Sequence, residues 1–361
     1  MTSNKWMLIV FILFTFSPII TLTANKTDSR RQRSTSVFPI LMYNSDIGFG
    51  YGGKGVIKNG FHKQESFDLI LFGSSKGQQW YEFKFSIPDF EIRQNTKYPL
   101  AFDLRLEYNK QLKSNFFGFG NNSQDNEWQF PKEFLKLELI LSRAFTNTFI
   151  GEAGLFINAC SIYNYQNKNP LMSFQTPGIG ENLTAYITTR FRWDTRNSQV
   201  HPLKGWKIGF NSDFAIKTIS SNYSYQRFRV EINNYKKIIS PSHIFAWRIW
   251  SQQINGQAPF YEQSIIGGTW TLRGYKADRL IDKAMILASM EYRFYFIKKI
   301  GGVLFTDAGR TYSHIKYLNI KNLNVSKGLG LRYYLENFIV RFDMGFSPEG
   351  TRIFLHFGHV F

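Results

Sequence analysis

The tetrapeptide Leu272-Arg273-Gly274-Tyr275 places a single arginine in a long stretch rich in glycine and aromatics, with Glu291 and Asp307 downstream in strand-like sequence. The chemistry open to this set is ionic and structural. A guanidinium drawn out of water needs an acidic, hydrogen-bonding wall, and bidentate contact with a carboxylate then fixes the loop that carries it. Gly274 lets the backbone turn where a side chain would collide. The competing reading is an exposed loop arginine with two unrelated carboxylates.

Other chemistry is harder to find. Gly48-Phe49-Gly50-Tyr51-Gly52-Gly53 satisfies G-x-G-x-x-G, yet its flanks are strand-like and no helix follows, so the glycines thin an early strand and do not read as a dinucleotide site. The histidines at 62, 201, 243, 314, 356 and 359 show neither H-E-x-x-H nor paired zinc-ligand spacing. His356 and His359 sit on opposite faces if the last strand runs straight. No G-x-S-x-G elbow occurs, which leaves only a Ser/His site assembled across strands, and no activated nucleophile is visible. Neither an enzymatic activity, nor a cofactor, nor a metal is expected. The single cysteine, Cys160, cannot form an intramolecular disulfide and reads as an inert small residue on a strand.

The elements that must position Arg273 are strands. Period-2 alternation dominates from about residue 38 onward. In Leu100 to Tyr108, Leu100, Phe102, Leu104, Leu106 and Tyr108 oppose Asp103, Arg105 and Glu107. The same division sets Leu135, Leu137, Leu139 and Leu141 against Lys136 and Glu138, and Phe338, Val340, Phe342, Met344 and Phe346 against Arg341 and Asp343. About sixteen such segments of roughly 9 to 11 residues can be counted, the length a tilted strand needs to cross a bilayer. The expected strands are 38–43, 47–57, 65–73, 78–87, 100–109, 133–143, 149–159, 183–193, 205–217, 224–234, 243–255, 284–297, 301–309, 325–335, 338–346 and 352–361. The longest links follow the fifth, seventh and eleventh strands, as antiparallel strands starting at the periplasm require. Closure satisfies every backbone group and removes free edges. Composition agrees: 17% aromatic and 19% charged residues fit a chain that shows apolar faces and aromatic girdles to lipid.

Residues 1–24 carry Lys5, an apolar run from Trp6 to Ile20 and Thr21-Leu22-Thr23-Ala24, which predicts a secretory signal peptide; an uncleaved signal anchor is the alternative. Residues 25–36 form a short basic periplasmic tail, and 37–361 the barrel domain. Net charge is +18. Export removes nucleic acid as a partner, and the scattered basic residues are expected to meet outer-membrane lipids, lipopolysaccharide or acidic solutes.

Leu272-Arg273-Gly274-Tyr275 resembles the Val-Arg-Gly-Phe/Tyr motif of the BamA/TamA superfamily of outer-membrane assembly factors, the bacterial surface antigen barrels. Met290-Glu291-Tyr292-Arg293-Phe294 and Phe305-Thr306-Asp307-Ala308-Gly309 resemble that family's patterns on the twelfth and thirteenth strands. Asn115 to Asn121, and Asp194-Thr195-Arg196 followed by Pro202 and Gly205, are weaker matches. The resemblance covers about residues 38 to 361. It implies an all-β fold, a 16-stranded antiparallel transmembrane β-barrel with an extracellular loop folded into the lumen, Arg273 acting as its latch on Glu291 and Asp307. It implies residence in the outer membrane of a Gram-negative bacterium. The family carries periplasmic POTRA modules before the barrel, and here about a dozen mature residues precede the first strand, so a form lacking them is expected. The function implied is insertion of outer-membrane proteins, or export of protein or lipid, through a lateral seam between the first strand (Phe38 to Tyr43) and the last (Arg352 to Phe361). Client proteins and a separate periplasmic or outer-membrane protein are the expected partners. The alternative is a passive pore whose Arg105, Arg190, Arg192, Arg227 and Arg229 select anions.

Overall fold

In the computed structural model, residues 33–44, 47–123, 127–163, 176–217, 221–297, 299–335 and 339–361 are described. The predicted signal peptide, residues 25–32 of the tail and Phe338 lie outside the described residues. Strands β1 (Ser34–Asn44), β2 (Gly48–Lys58), β3 (Ser66–Ser74), β4 (Gln79–Ile87), β5 (Ala101–Phe116), β6 (Trp128–Ala144), β7 (Phe149–Ile162), β8 (Gly180–Asp194), β9 (Gly205–Ala215), β10 (Ser224–Lys237) and β11 (His243–Gln257) form one run of antiparallel neighbours. After an inward loop the run continues with β14 (Ala284–Ile297), β15 (Ile300–Tyr312), β16 (Asn324–Tyr334), β17 (Ile339–Ser347) and β18 (Gly350–Phe357). Contact between β1 and β18 closes the barrel. Within the loop, β12 (Ser264–Ile266) and β13 (Leu280–Asp282) pair only with each other.

Alternation decides which way each strand faces. On β3, Leu69 and Leu71 are exposed while Ile70 and Phe72 are buried; on β14, Met290 is exposed and Ser289, Glu291 and Arg293 are fully buried. With Leu106, Leu135, Ile187 and Leu304, the outward set makes an apolar belt suited to lipid. The inner face has several small cores where the loop meets the wall. Phe260 of the loop packs with Phe116, Phe130, Cys160 and Ile162. Leu272 and Tyr275 pack with Ile266, Leu280, Met285 and Leu287.

Four boundaries differ from expectation by more than three residues. β1 begins at Ser34, so Ser34-Thr35-Ser36, assigned to the tail, pair with Lys58, Ile57 and Val56. β5 and β6 run 16 and 17 residues, because their pairing continues past a register shift between Gln111 and Ser114. β18 stops at Phe357, where Gly358 takes φ +79° and turns the chain. His356 and His359 therefore no longer share a strand, and the opposite-face argument fails for them.

Candidate functional site

The loop between β11 and β14 crosses the lumen and delivers Arg273 to a wall built by β14, β15 and β17. Arg273 is 0% exposed. Its Nε and Nη2 donate to the two Asp307 oxygens at 2.8 and 2.9 Å, and its backbone N–H donates to Asp307 at 3.2 Å. Nη1 donates to Glu291 Oε1 at 2.6 Å and to Asp343 Oδ2 at 3.2 Å. The guanidinium carbon lies 3.5 Å from the centroid of the Phe305 ring, which caps it with a π face. Burial alone would lower the Arg273 pKa, but Asp307 and Glu291 outweigh it and raise it above the ordinary range.

Glycine sets how close the tip can come. Gly274 has φ +97°, and a Cβ there would meet the Phe346 backbone at 3.1 Å. On the facing strand, a Cβ at Gly345 would meet Gly274 N at 2.6 Å. Two backbones touch because neither carries a side chain. Ser347 Oγ then donates to Gly274 O at 2.7 Å.

Sequence reasoning identified Glu291 and Asp307 as the acidic partners but missed the third, Asp343. Of the cations around them, alternation turns Arg293 inward with Glu291, while Arg332 and Arg341 were not connected with the site; all three are, like Arg273, almost wholly buried. Arg293 pairs with Glu291 at 2.7 Å and Arg332 with Asp343 at 2.5 Å. Arg341 donates to Thr269 Oγ1 of the loop at 2.9 Å. Inward parity of Arg341 and Asp343 was legible; their depth and cross-strand neighbours were not.

A second anchor holds the entering arm of the loop, and no sequence signal pointed to it. Glu262 accepts from Arg227 Nη1 at 2.6 Å and from Asn158 Nδ2 at 2.9 Å. Arg227 Nε also donates to Asp213 at 2.7 Å, and Asp213 is fixed further by Arg229 at 3.0 Å and Thr188 at 2.6 Å. Burial would raise the Glu262 pKa, yet Arg227 lowers it. At the outer mouth, Lys276 meets Glu127 at 2.6 Å, and Arg279 pairs with Glu349 and donates to Ser123 Oγ at 2.8 Å. Asn115, Phe116 and Phe117 of the weaker match are all buried at this mouth. Asp194 and Arg196 pair at 2.7 Å in the periplasmic turn.

The four seam residues do not come together. β1 and β18 share only the pairs Tyr43–Leu355 and Asn44–Phe354. Phe38 pairs with Lys54 of β2 and lines an inner cavity. Arg352 sits opposite Gly345 of β17. Phe361 is not on a strand: beyond Gly358 the tail enters the lumen, where Arg293 Nη2 donates to Phe361 O at 3.3 Å. The guanidinium carbons of Arg248 and Arg293 lie 5.1 and 5.4 Å from its ring centroid. His359 stacks on His201 at 5.8 Å, and His201 is hydrogen-bonded to Tyr295. Burial, helped by Arg293, lowers the His201 pKa to about 4.

A family profile described as the Omp85 superfamily domain matches residues 65–358. The chain belongs to the Omp85 superfamily. Outer membrane protein assembly factor BamA of Nitratidesulfovibrio vulgaris (strain Hildenborough) is 28% identical over 191 residues, covering 48% of this chain and 24% of that protein. This Omp85 chain thus spans about a quarter of the length of that curated relative. Among solved structures, BamA from Haemophilus ducreyi lacking POTRA domains 1–3 superposes with a TM-score of 0.66 at 14% identity, covering 98% of this chain and 77% of that one. CdiB from Escherichia coli gives 0.63 at 10% identity, with 89% and 62% coverage. CdiB from Acinetobacter baumannii gives 0.56 at 13%, with 90% and 59% coverage. These likenesses establish the fold. As an Omp85 barrel, the protein resides in the outer membrane of a Gram-negative bacterium.

Proposed function

We propose that this Omp85 barrel inserts or exports client polypeptides at the β1–β18 seam, with the loop latched by Arg273 as its internal brace and no bond-breaking chemistry. The observation that carries the reading is the imbalance of β1. It makes eleven residue pairs with β2 and two with β18. Strand edges that lack partners offer backbone N–H and C=O groups to an incoming strand, which is how β-augmentation gains affinity without sequence specificity. β18 ends at Phe357 where the chain turns at Gly358, so the register it shares with β1 among the described residues is confined to Tyr43 and Asn44. Client proteins, and a separate periplasmic or outer-membrane protein that delivers them, are the partners this mechanism needs. The pore reading draws on the cavity beside the loop, of about 1410 Å³; against it, Arg105, Arg227 and Arg229 are each paired with carboxylates.

A tether tests the proposal. Tyr43 and Leu355 are register partners, and directly opposed antiparallel residues lie about 4.5–5.5 Å apart, within disulfide reach. In a Cys160→Ser background, Tyr43→Cys with Leu355→Cys should abolish client assembly when oxidised and restore it on reduction. Unchanged client levels with a fully formed tether would refute seam-based function. Steady single-channel currents unaffected by the tether would instead favour the pore.

A further inference from the structure

The lumen is not uniformly polar. Water-facing barrel interiors normally are, yet Phe38, Ile40, Met42, Ile70 and Trp80 line one wall of the 1410 Å³ cavity that the loop leaves open, beside the short β1–β18 contact. Ile40, Ile70 and Phe72 form its buried base, with Met42, Ile47 and Trp80 packed on them and still part-exposed. The Trp80 indole N–H has no hydrogen-bond partner among the described residues.

The same cavity is lined by Arg190 and Arg192 of β8, which share one carboxylate: Glu152 lies 3.8 Å from Arg190 and 3.6 Å from Arg192. The Nε groups of both arginines are buried without a partner among the described residues. Two guanidiniums on one distant carboxylate, their side chains still 24% and 26% exposed, leave local positive charge beside the cavity, the arrangement that takes a phosphate. An apolar wall and an anion-binding wall in one cavity select an amphiphile.

We propose that this half of the lumen binds an anionic membrane amphiphile, its phosphorylated head group at Arg190 and Arg192 and its acyl chain along β1–β4. The backbone groups of β2, β3 and β4 are already paired on both sides, so this wall offers hydrocarbon contact and no hydrogen-bonding edge. Against the inner faces of β2, β3 and β4 a polypeptide strand would leave its own amides unpaired, whereas an acyl chain has none to satisfy. None of Arg273, Glu291, Asp307 and Asp343 lines this cavity, and the proposal does not rest on client insertion.

The test uses the full chain in lipid nanodiscs, with the photo-cross-linking residue p-benzoylphenylalanine replacing inward-facing Ile70 and, as a control, outward-facing Leu71. In phosphatidylglycerol or lipid A discs the probe at 70 should capture lipid, and in phosphatidylcholine discs it should capture little. Arg190→Gln with Arg192→Gln should cut the yield at position 70 about tenfold, as expected for losing charge-assisted hydrogen bonds, and leave the yield at 71 unchanged. Preference between phosphatidylglycerol and lipid A identifies the source, and either supports the site. Equal capture of phosphatidylcholine, no effect of the arginine changes, or a polypeptide adduct in place of lipid overturns it. If a probe at 70 prevents folding, Met42 carries it in the same cavity.

Discussion

Two of the ion-pair sets that hold the inward loop have opposite polarity. At the tip the loop supplies a cation, Arg273, and the wall supplies Glu291, Asp307 and Asp343; on the entering arm the loop supplies an anion, Glu262, and the wall supplies Arg227. The tip set is sealed from water, every member being 0% exposed by side chain. The entering set has a wetter border, since Arg229 is 27% exposed. Desolvation makes the first set cooperative, because each buried charge depends on the rest for compensation. The second can lose a member and let water in. A loop braced from both sides by reversed charges is also hard to seat in the wrong orientation, since a flipped loop would place like charges together.

The largest expected effect tests the sealed anchor. Arg273→Ala takes from Asp307 the guanidinium that binds both its oxygens and removes one of several cations from Glu291 and Asp343, and should cost about 3–5 kcal/mol, read as earlier heat-induced unfolding on gels or in urea titration of the detergent-solubilised barrel. Glu262→Gln keeps shape and the hydrogen bond from Asn158 but removes a charge. It should cost less, about 1–3 kcal/mol, in the same assay. Equal losses for the two would break the distinction drawn between the anchors. Because they rest on different strands, β7 to β10 against β14, β15 and β17, and share no partner, the double variant should be additive within about 0.5 kcal/mol.

The smallest effect is set by pH and separates both anchors from the tail. His201 has its folded pKa lowered from 6.5 to about 4, so the unfolded or untucked state binds the proton more readily. Its contribution is therefore complete above pH 6.5 and is lost as pH falls from 6.5 to about 4. Glu262 is held below its ordinary value of 4.5, so its ion pair is still in place at about pH 5. Acidification from pH 7 to 5 should loosen residues 358–361, seen as faster hydrogen exchange or carboxypeptidase trimming, and leave the loop protected. His201→Gln should weaken the pH dependence and leave the share that His359 contributes, since burial holds that imidazole too well below its ordinary value; a tail insensitive to pH in the unaltered protein would show that neither histidine holds it.

Much of the architecture was legible because a strand writes its facing into the sequence every second residue. Leu106 against Glu107 and Met290 against Glu291 follow that rule, and counting such segments yields the barrel. The ends were less legible. Ser34 to Ser36 read as a polar tail because pairing with β2 needs only backbone groups, and the seam residues were placed on the assumption of a straight β18 that Gly358 ends. Of the site, Arg273, Glu291 and Asp307 stood out by local pattern; Glu262 did not, since one glutamate beside Phe260 and Tyr261 in a loop carries no periodicity.

The sequence alone determined the strand period, the membrane-facing side of each strand and the presence of a loop arginine with acidic strand residues downstream, because these are properties of neighbouring residues. Only the tertiary structure decided which charges share a site. Arg273 meets Asp343 across 70 positions of chain, and Arg227 meets Glu262 across 35. Such meetings depend on cross-strand register, on depth in the lumen and on how far a loop reaches inward. Those are set by the closure of the whole barrel, and no local pattern records them.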